Sequence, residues 1–140
     1  MMFSNNETGV IQNINAIAAL LKSKNVLFLC DATQAVGKIS VDVKKYGIDL
    51  LALSAHKFHG PKGAGFAFIR KATGLKGIIT GGPQERSLRA GTENVCGIVG
   101  LGKAAEQARL QMQERIAHVQ GLRDRLIKGI QEKIGDIKLN

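Results

Sequence analysis

Two rhythms of apolar side chains divide the chain. One is a spacing of three to four, the other a short continuous run. Residues 12–23 place Ile14, Ile17, Ala18 and Leu21 at helical spacing, which predicts a helix. Val26–Cys30 is continuously apolar and predicts a strand buried on both faces. Val41–Tyr46 reads as a short helix or turn, and Asp49–Ser54 and Gly65–Arg70 as two further strands. Met1–Ser4 reads as the end of another strand. Strands separated by helical segments predict an α/β fold with a mostly parallel sheet.

From residue 94 to about 134 the helical rhythm continues without a break. Val95, Ile98, Leu101, Ala105, Ala108, Met112, Ile116, Val119, Leu122, Leu126, Ile130 and Ile134 are each three or four residues apart. At 1.5 Å per residue such a helix is roughly 60 Å long, more than the diameter of a domain this size. Its far end is therefore expected to pack on something outside these 140 residues, and the chain reads as part of a larger fold.

Composition narrows the function classes. Hydrophobic residues make up 44% and charged residues 22%, an ordinary globular balance. No apolar run is long enough to span a bilayer, and the first residues show no leader pattern, so a soluble, cytoplasmic protein without a membrane partner is expected. The net charge of +9 raises the possibility of a nucleic-acid partner. Aromatics at 4% leave few stacking platforms, and the basic residues are dispersed, so no nucleic-acid partner is expected. Cys30 and Cys96 have neither metal-ligand nor disulfide spacing, and both read as small hydrophobes. No metal is expected.

Candidate chemistry lies just beyond the predicted strands, where α/β sheets bind ligands. The three clusters are Asn5-Asn6-Glu7-Thr8-Gly9, Asp31-Ala32-Thr33-Gln34 and Ser54-Ala55-His56-Lys57. A phosphorylated pyridine cofactor needs this assortment: an amine, a carboxylate for the ring nitrogen, and polar groups for the phenolic oxygen and phosphate. Lys57 supplies the amine, although most lysines are solvated surface residues. Asp31 would meet a pyridinium N–H, or would simply cap a turn beginning at Thr33. The glycine-rich stretch 81–92 offers backbone N–H groups, Arg86, Arg89 and Thr92 to an anion, or is a flexible connection.

Those three clusters, with the extension Phe58-His59-Gly60-Pro61-Lys62-Gly63 and the segment Arg89-Ala90-Gly91-Thr92-Glu93-Asn94, resemble the cysteine desulfurases. The closer likeness is to the iron–sulfur-cluster assembly group of the class V aminotransferases, and it covers essentially the whole chain. The resemblance implies part of the large domain of a fold-type-I pyridoxal 5'-phosphate (PLP) enzyme. Residues 1–93 would be the PLP-binding segment, 94–134 the helix toward a small domain, and 135–140 the start of that domain. Lys57 would be the catalytic Schiff-base lysine, and Asp31 would pair with the pyridine nitrogen. Asn6 and Gln34 would contact the phenolic oxygen or ring face, and Ser54 and His56 would hold the phosphate. Thr92 would reach the cofactor of a partner subunit, implying a homodimer. The implied reaction takes sulfur from L-cysteine as an enzyme persulfide, leaves L-alanine, and delivers the sulfur to an acceptor protein.

The departures from the family pattern are specific. Pro83 and Ser87 stand where the family usually has glycine, which alters the shape of that loop. The family's ring-stacking histidine, persulfide cysteine and substrate-binding arginine belong to parts outside this sequence, and neither Cys30 nor Cys96 matches that cysteine. The chain alone is therefore expected to be inactive. Two alternatives stay open: another class V enzyme such as selenocysteine lyase, and a non-catalytic truncated product.

Overall fold

A computed structural model describes residues 1–139. Helix α1 (Ile14–Ser23) starts where the Asn13 side chain accepts the Ala16 N–H at 3.2 Å, an N-cap that satisfies one of the helix's free donors. Strand β1 (Leu29–Asp31) pairs in parallel with β2 (Leu50–Ser54), which pairs antiparallel with β3 (Gly65–Ile69). Met2 also bridges Asp31 in parallel, so the first residues run beside β1 as an irregular outer strand. The α/β class is as expected. The sheet is mixed, because the short connection from β2 to β3 returns the chain in the opposite direction.

One expectation about burial fails. Phe28 and Cys30 are buried, but Val26 and Leu27 precede the strand and are exposed, and Leu29 is 54% exposed. Side chains alternate across a strand. Here the α1 side of the sheet holds the core of Phe3, Ile14, Phe28, Cys30, Ile48 and Leu51. Among the described residues no helix covers the other side at Leu29. The segment 41–46 resolves as a turn.

A half-buried ion pair locks the amino ends of the strands. Asp49 accepts the Phe28 N–H at 3.0 Å and the Arg70 Nε–H at 3.2 Å, while the same guanidinium donates to the carbonyls of Ile48 at 2.7 Å and Val43 at 3.2 Å. Arg70→Met keeps the aliphatic stem and strands these acceptors. The expected loss is about 2 kcal/mol, seen as a lower urea midpoint. A midpoint within error of the parent would show that water replaces the guanidinium without cost.

The long helix α2 (Val95–Lys133) is unbroken over 39 residues, and Asn94 caps it by accepting the Gly97 N–H at 3.0 Å. Its buried face differs from the expected stripe. Val95, Ile98 and Ala105 are exposed, and the helix approaches the rest of the fold through Gly97, Ala104 and Ala108. Close approach to a compact turn selects small side chains: a Cβ at Gly100 would sit 3.1 Å from the Pro61 ring. No helix is long and apolar enough to cross a membrane among the described residues.

Candidate active site

Three parallel segments lie side by side, residues 1–4, β1 and β2, and each ends in one of the polar clusters. Register brings the clusters together. The Phe3 N–H donates to the Asp31 carbonyl at 2.8 Å, and the Ala32 N–H donates to the Ala52 carbonyl at 2.9 Å. The turn at Asn5–Thr8, the coil of turns beginning at Asp31 and the 3-10 turn Ala55–Phe58 therefore share the carboxyl edge of the sheet.

Each cluster is shaped by its own sequence. Asn5 Oδ1 accepts the N–H groups of Glu7 and Thr8, which tightens the first turn and projects Asn6. Asp31 Oδ1 accepts the Thr33 N–H at 2.9 Å, so the turn-capping role considered from sequence is real. It occupies one carboxylate oxygen and leaves the other free for a ligand. Ser54 precedes the 3-10 turn without capping it through its hydroxyl. His56 and Lys57 on that turn are exposed, and Phe58 anchors the turn in the second apolar cluster with Ala55, Ala104 and Ala108.

Asn6 and Gln34 line a cavity of about 360 Å³ with Ser4, Lys38 and Ile39 among the other walls. Ser4 Oγ is buried there without a hydrogen-bond partner. A hydroxyl left unpaired is costly, and a ligand oxygen beside Asn6 and Gln34 would satisfy it. A larger cavity of about 590 Å³ lies at the opposite, amino ends of the strands, around Lys22, Tyr46 and Arg70. It contains none of the predicted site residues, and α/β sheets bind at the carboxyl edge, so the smaller cavity is the candidate site.

Six of the seven predicted residues thus gather at one sheet edge. Thr92 does not: it is exposed just before α2 and shares no hydrogen bond or cavity with the others among the described residues. The loop before it takes left-handed backbone at Glu85, Arg86 and Ser87, with φ of 47°, 59° and 64°. Ser87, which stands where the resemblance expects glycine, occupies a conformation that favours glycine. Burial pushes the Cys30 thiol up, partly offset by the nearby terminal ammonium, so the small-hydrophobe reading holds there. Cys96 is exposed, which that reading did not foresee.

Sequence reasoning missed two residues of the cavity. Lys38 lies one helical turn beyond Gln34, and its Nζ donates to Gln34 Oε1 at 3.4 Å. Ser4 directly precedes the Asn5-Asn6 pair. The signal for Lys38 was its spacing of four from Gln34, and for Ser4 its place at the end of the first strand-like segment.

Residues 1–140 match the aminotransferase class-V family throughout. The chain belongs to that family. Cysteine desulfurase IscS of Clostridium botulinum strain Hall is 51% identical over 140 residues, covering 100% of this chain and 35% of the relative. Cysteine desulfurase IscS of Methanosarcina thermophila is 52% identical over 130 residues, covering 93% of this chain and 32% of the relative. Among solved structures, a NifS-like protein superposes with a TM-score of 0.89 at 44% identity, over 94% of this chain and 36% of its own. DndA from Streptomyces lividans superposes with a TM-score of 0.86 at 36% identity, over 93% and 38%. The chain thus spans about a third of the length of these relatives, and its fold is that of the NifS-like enzymes.

Proposed function

We propose that this chain carries the PLP-attachment segment of a cysteine desulfurase, with Lys57 as the lysine that binds the cofactor. The observation that carries the reading is the convergence of an amine, a carboxylate and two amides at the carboxyl edge of adjacent parallel segments. The donor set fits the cofactor. Asp31 would pair with the ring nitrogen through its free oxygen, and Asn6 and Gln34 would face the ring and its phenolic oxygen. The uncommitted Ser54 hydroxyl and the His56 ring would hold the phosphate. PLP, when bound, supplies an electron sink for charge developing beside the amino-acid carboxylate. Lys57 would hold the cofactor and move protons at the substrate α-carbon.

The relatives' name supports L-cysteine as substrate and persulfide transfer to a sulfur acceptor as the reaction. A solved relative titled "SspA in complex with cysteine", 38% identical with a TM-score of 0.72, adds to that support. Sulfur abstraction needs a placed thiolate. Cys30 is sealed in the core, and Cys96 shares no cavity with Lys57 among the described residues, so neither takes that role. We further infer that residues 1–93 form the cofactor segment, that 94–134 lead to a small domain beginning at 135–140, and that Thr92 serves a second copy in a homodimer. Asn140 lies outside the described residues.

Borohydride treatment of the chain with PLP is expected to fix label on the peptide containing Lys57, and Lys57→Ala to abolish that label. Label concentrated on Lys38 or any other lysine would overturn the assignment.

A further inference from the structure

Lys38 has no part in the reading above, yet it stands in the same cavity as Asn6 and Gln34. We propose that Lys38 is a positioning residue of this site: its ammonium holds the Gln34 amide so that the amide N–H groups face the cavity, and its charge acts on the nitrogen at Lys57. The inference rests on the proposed function.

Four observations support it. The Lys38 Nζ to Gln34 Oε1 contact at 3.4 Å assigns the amide oxygen to the ammonium, because an ammonium can only donate. The amide nitrogen is then the group left for a ligand oxygen. The turn carrying Lys38 is also pressed against the turn carrying Lys57: Gly37 has φ of +77°, and a Cβ there would come within 2.8 Å of Phe58 Cβ. No residue but glycine could bring the two lysine-bearing turns so close. Finally, the Lys38 ammonium is lowered from its usual value, first by partial burial and then by the charge of Lys57. The ionisable groups on the neighbouring elements are Glu7, Asp31, His56 and Lys57, and Lys57 is the one whose charge is felt at Lys38.

A fixed positive charge beside a nitrogen that binds a proton disfavours that proton. With PLP attached at Lys57, Lys38 therefore keeps the nitrogen unprotonated to lower pH than it would otherwise be. Through Gln34 it also keeps a donor aimed at the phenolic oxygen. The two effects are separable by substitution. Lys38→Met removes charge and donor, Lys38→Arg restores both, and Gln34→Leu removes only the amide.

The test uses the whole chain. Without cofactor, the Lys38 side-chain resonances are followed against pH. They are expected to titrate below those of exposed lysines, and Lys57→Met is expected to move the midpoint up. With PLP bound, the absorption of the attached cofactor is followed against pH. Lys38→Met is expected to raise its midpoint by about half a unit or more, the scale of one charge removed across a solvated cavity. Lys38→Arg should titrate like the parent, and Gln34→Leu should change the band position with a smaller midpoint shift. A Lys38 midpoint indifferent to Lys57→Met, or cofactor titrations that coincide in parent and Lys38→Met, would overturn the inference and leave Lys57 as the attachment site. No covalent uptake by the parent would instead remove the proposed function, and this inference with it.

Discussion

Phe58→Ala is expected to cost about 3–4 kcal/mol, the usual loss when a buried aromatic is truncated in a well-packed site. Phe58 is 3% exposed and ties together three elements, the 3-10 turn that carries Lys57, the turn at Gly37 and the first part of α2. Ala104 and Ala108 are too small to expand into the space it would leave. The loss should therefore be cooperative, and a urea midpoint far below the parent's is the readout. The site should suffer in parallel. Lys57 immediately precedes Phe58, and His59 at φ of 70° and the Gly60 N–H to the Ala55 carbonyl close the turn behind it. Borohydride labelling at Lys57 should fall in proportion to unfolding at each urea concentration. Phe58→Leu should recover most of the stability, since it refills much of the volume. A loss below about 1 kcal/mol for Phe58→Ala would mean that α2 and the turn are held mainly by other contacts.

Much of this architecture was legible from periodicity. Ile14, Ile17, Ala18 and Leu21 do face the core from α1, and the chain from Val95 to Lys133 is helical, because spacing alone fixes which side chains can share a face. The burial of individual positions was less legible. The run Val26–Cys30 has the composition of a two-sided strand, yet Leu29 is half exposed and only Phe28 and Cys30 enter the core. Composition records the hydrophobicity of a strand but not which neighbours cover it. The register of α2 was misjudged for a related reason. Large apolar residues mark a stripe, while close packing on the Pro61 turn is carried by Gly97, Gly100 and Ala104, which hydropathy weighs lightly.

The candidate site shows the same division. Asn6, Asp31, Gln34, Ser54, His56 and Lys57 were found because each stands just past a predicted strand, a rule of topology that needs no distances. Lys38 and Ser4 were missed because nothing local marks them. One is a lysine among many and the other a serine before a turn, and only the cavity places them beside Gln34 and Asn6. The ion pair of Asp49 and Arg70 was missed because its partners are 21 residues apart and flank two strands whose antiparallel pairing was not foreseen.

Hydrogen exchange in the dilute chain is expected to divide α2 sharply. Amides from Val95 to about Ala108 should exchange slowly, along with those of Cys30 and Leu50–Leu53, while those beyond about Met112 should exchange far faster. The first part of the helix is anchored, with Ala104 and Ala108 buried against Phe58 and Leu101 packed beside them. Beyond it, Val119 and Leu126 are each 63% exposed and Leu122 is 54% exposed. The polar support there is slight. The Arg123–Asp124 and Lys128–Glu132 pairs are on the surface, where each contributes at most about 1 kcal/mol. A helix of this length without tertiary cover is marginal in water, because packing supplies most of the stability of helices in proteins. Local opening of the outer half should therefore cost much less than global unfolding. Raising the protein concentration provides a control. If a second copy covers Val119, Leu122 and Leu126, protection after Met112 should rise with concentration while that of Leu50–Leu53 stays constant. Uniform slow exchange from Val95 to Lys133 at the lowest concentration would show that intrahelical contacts hold the outer half, and that its exposed apolar stripe needs no cover.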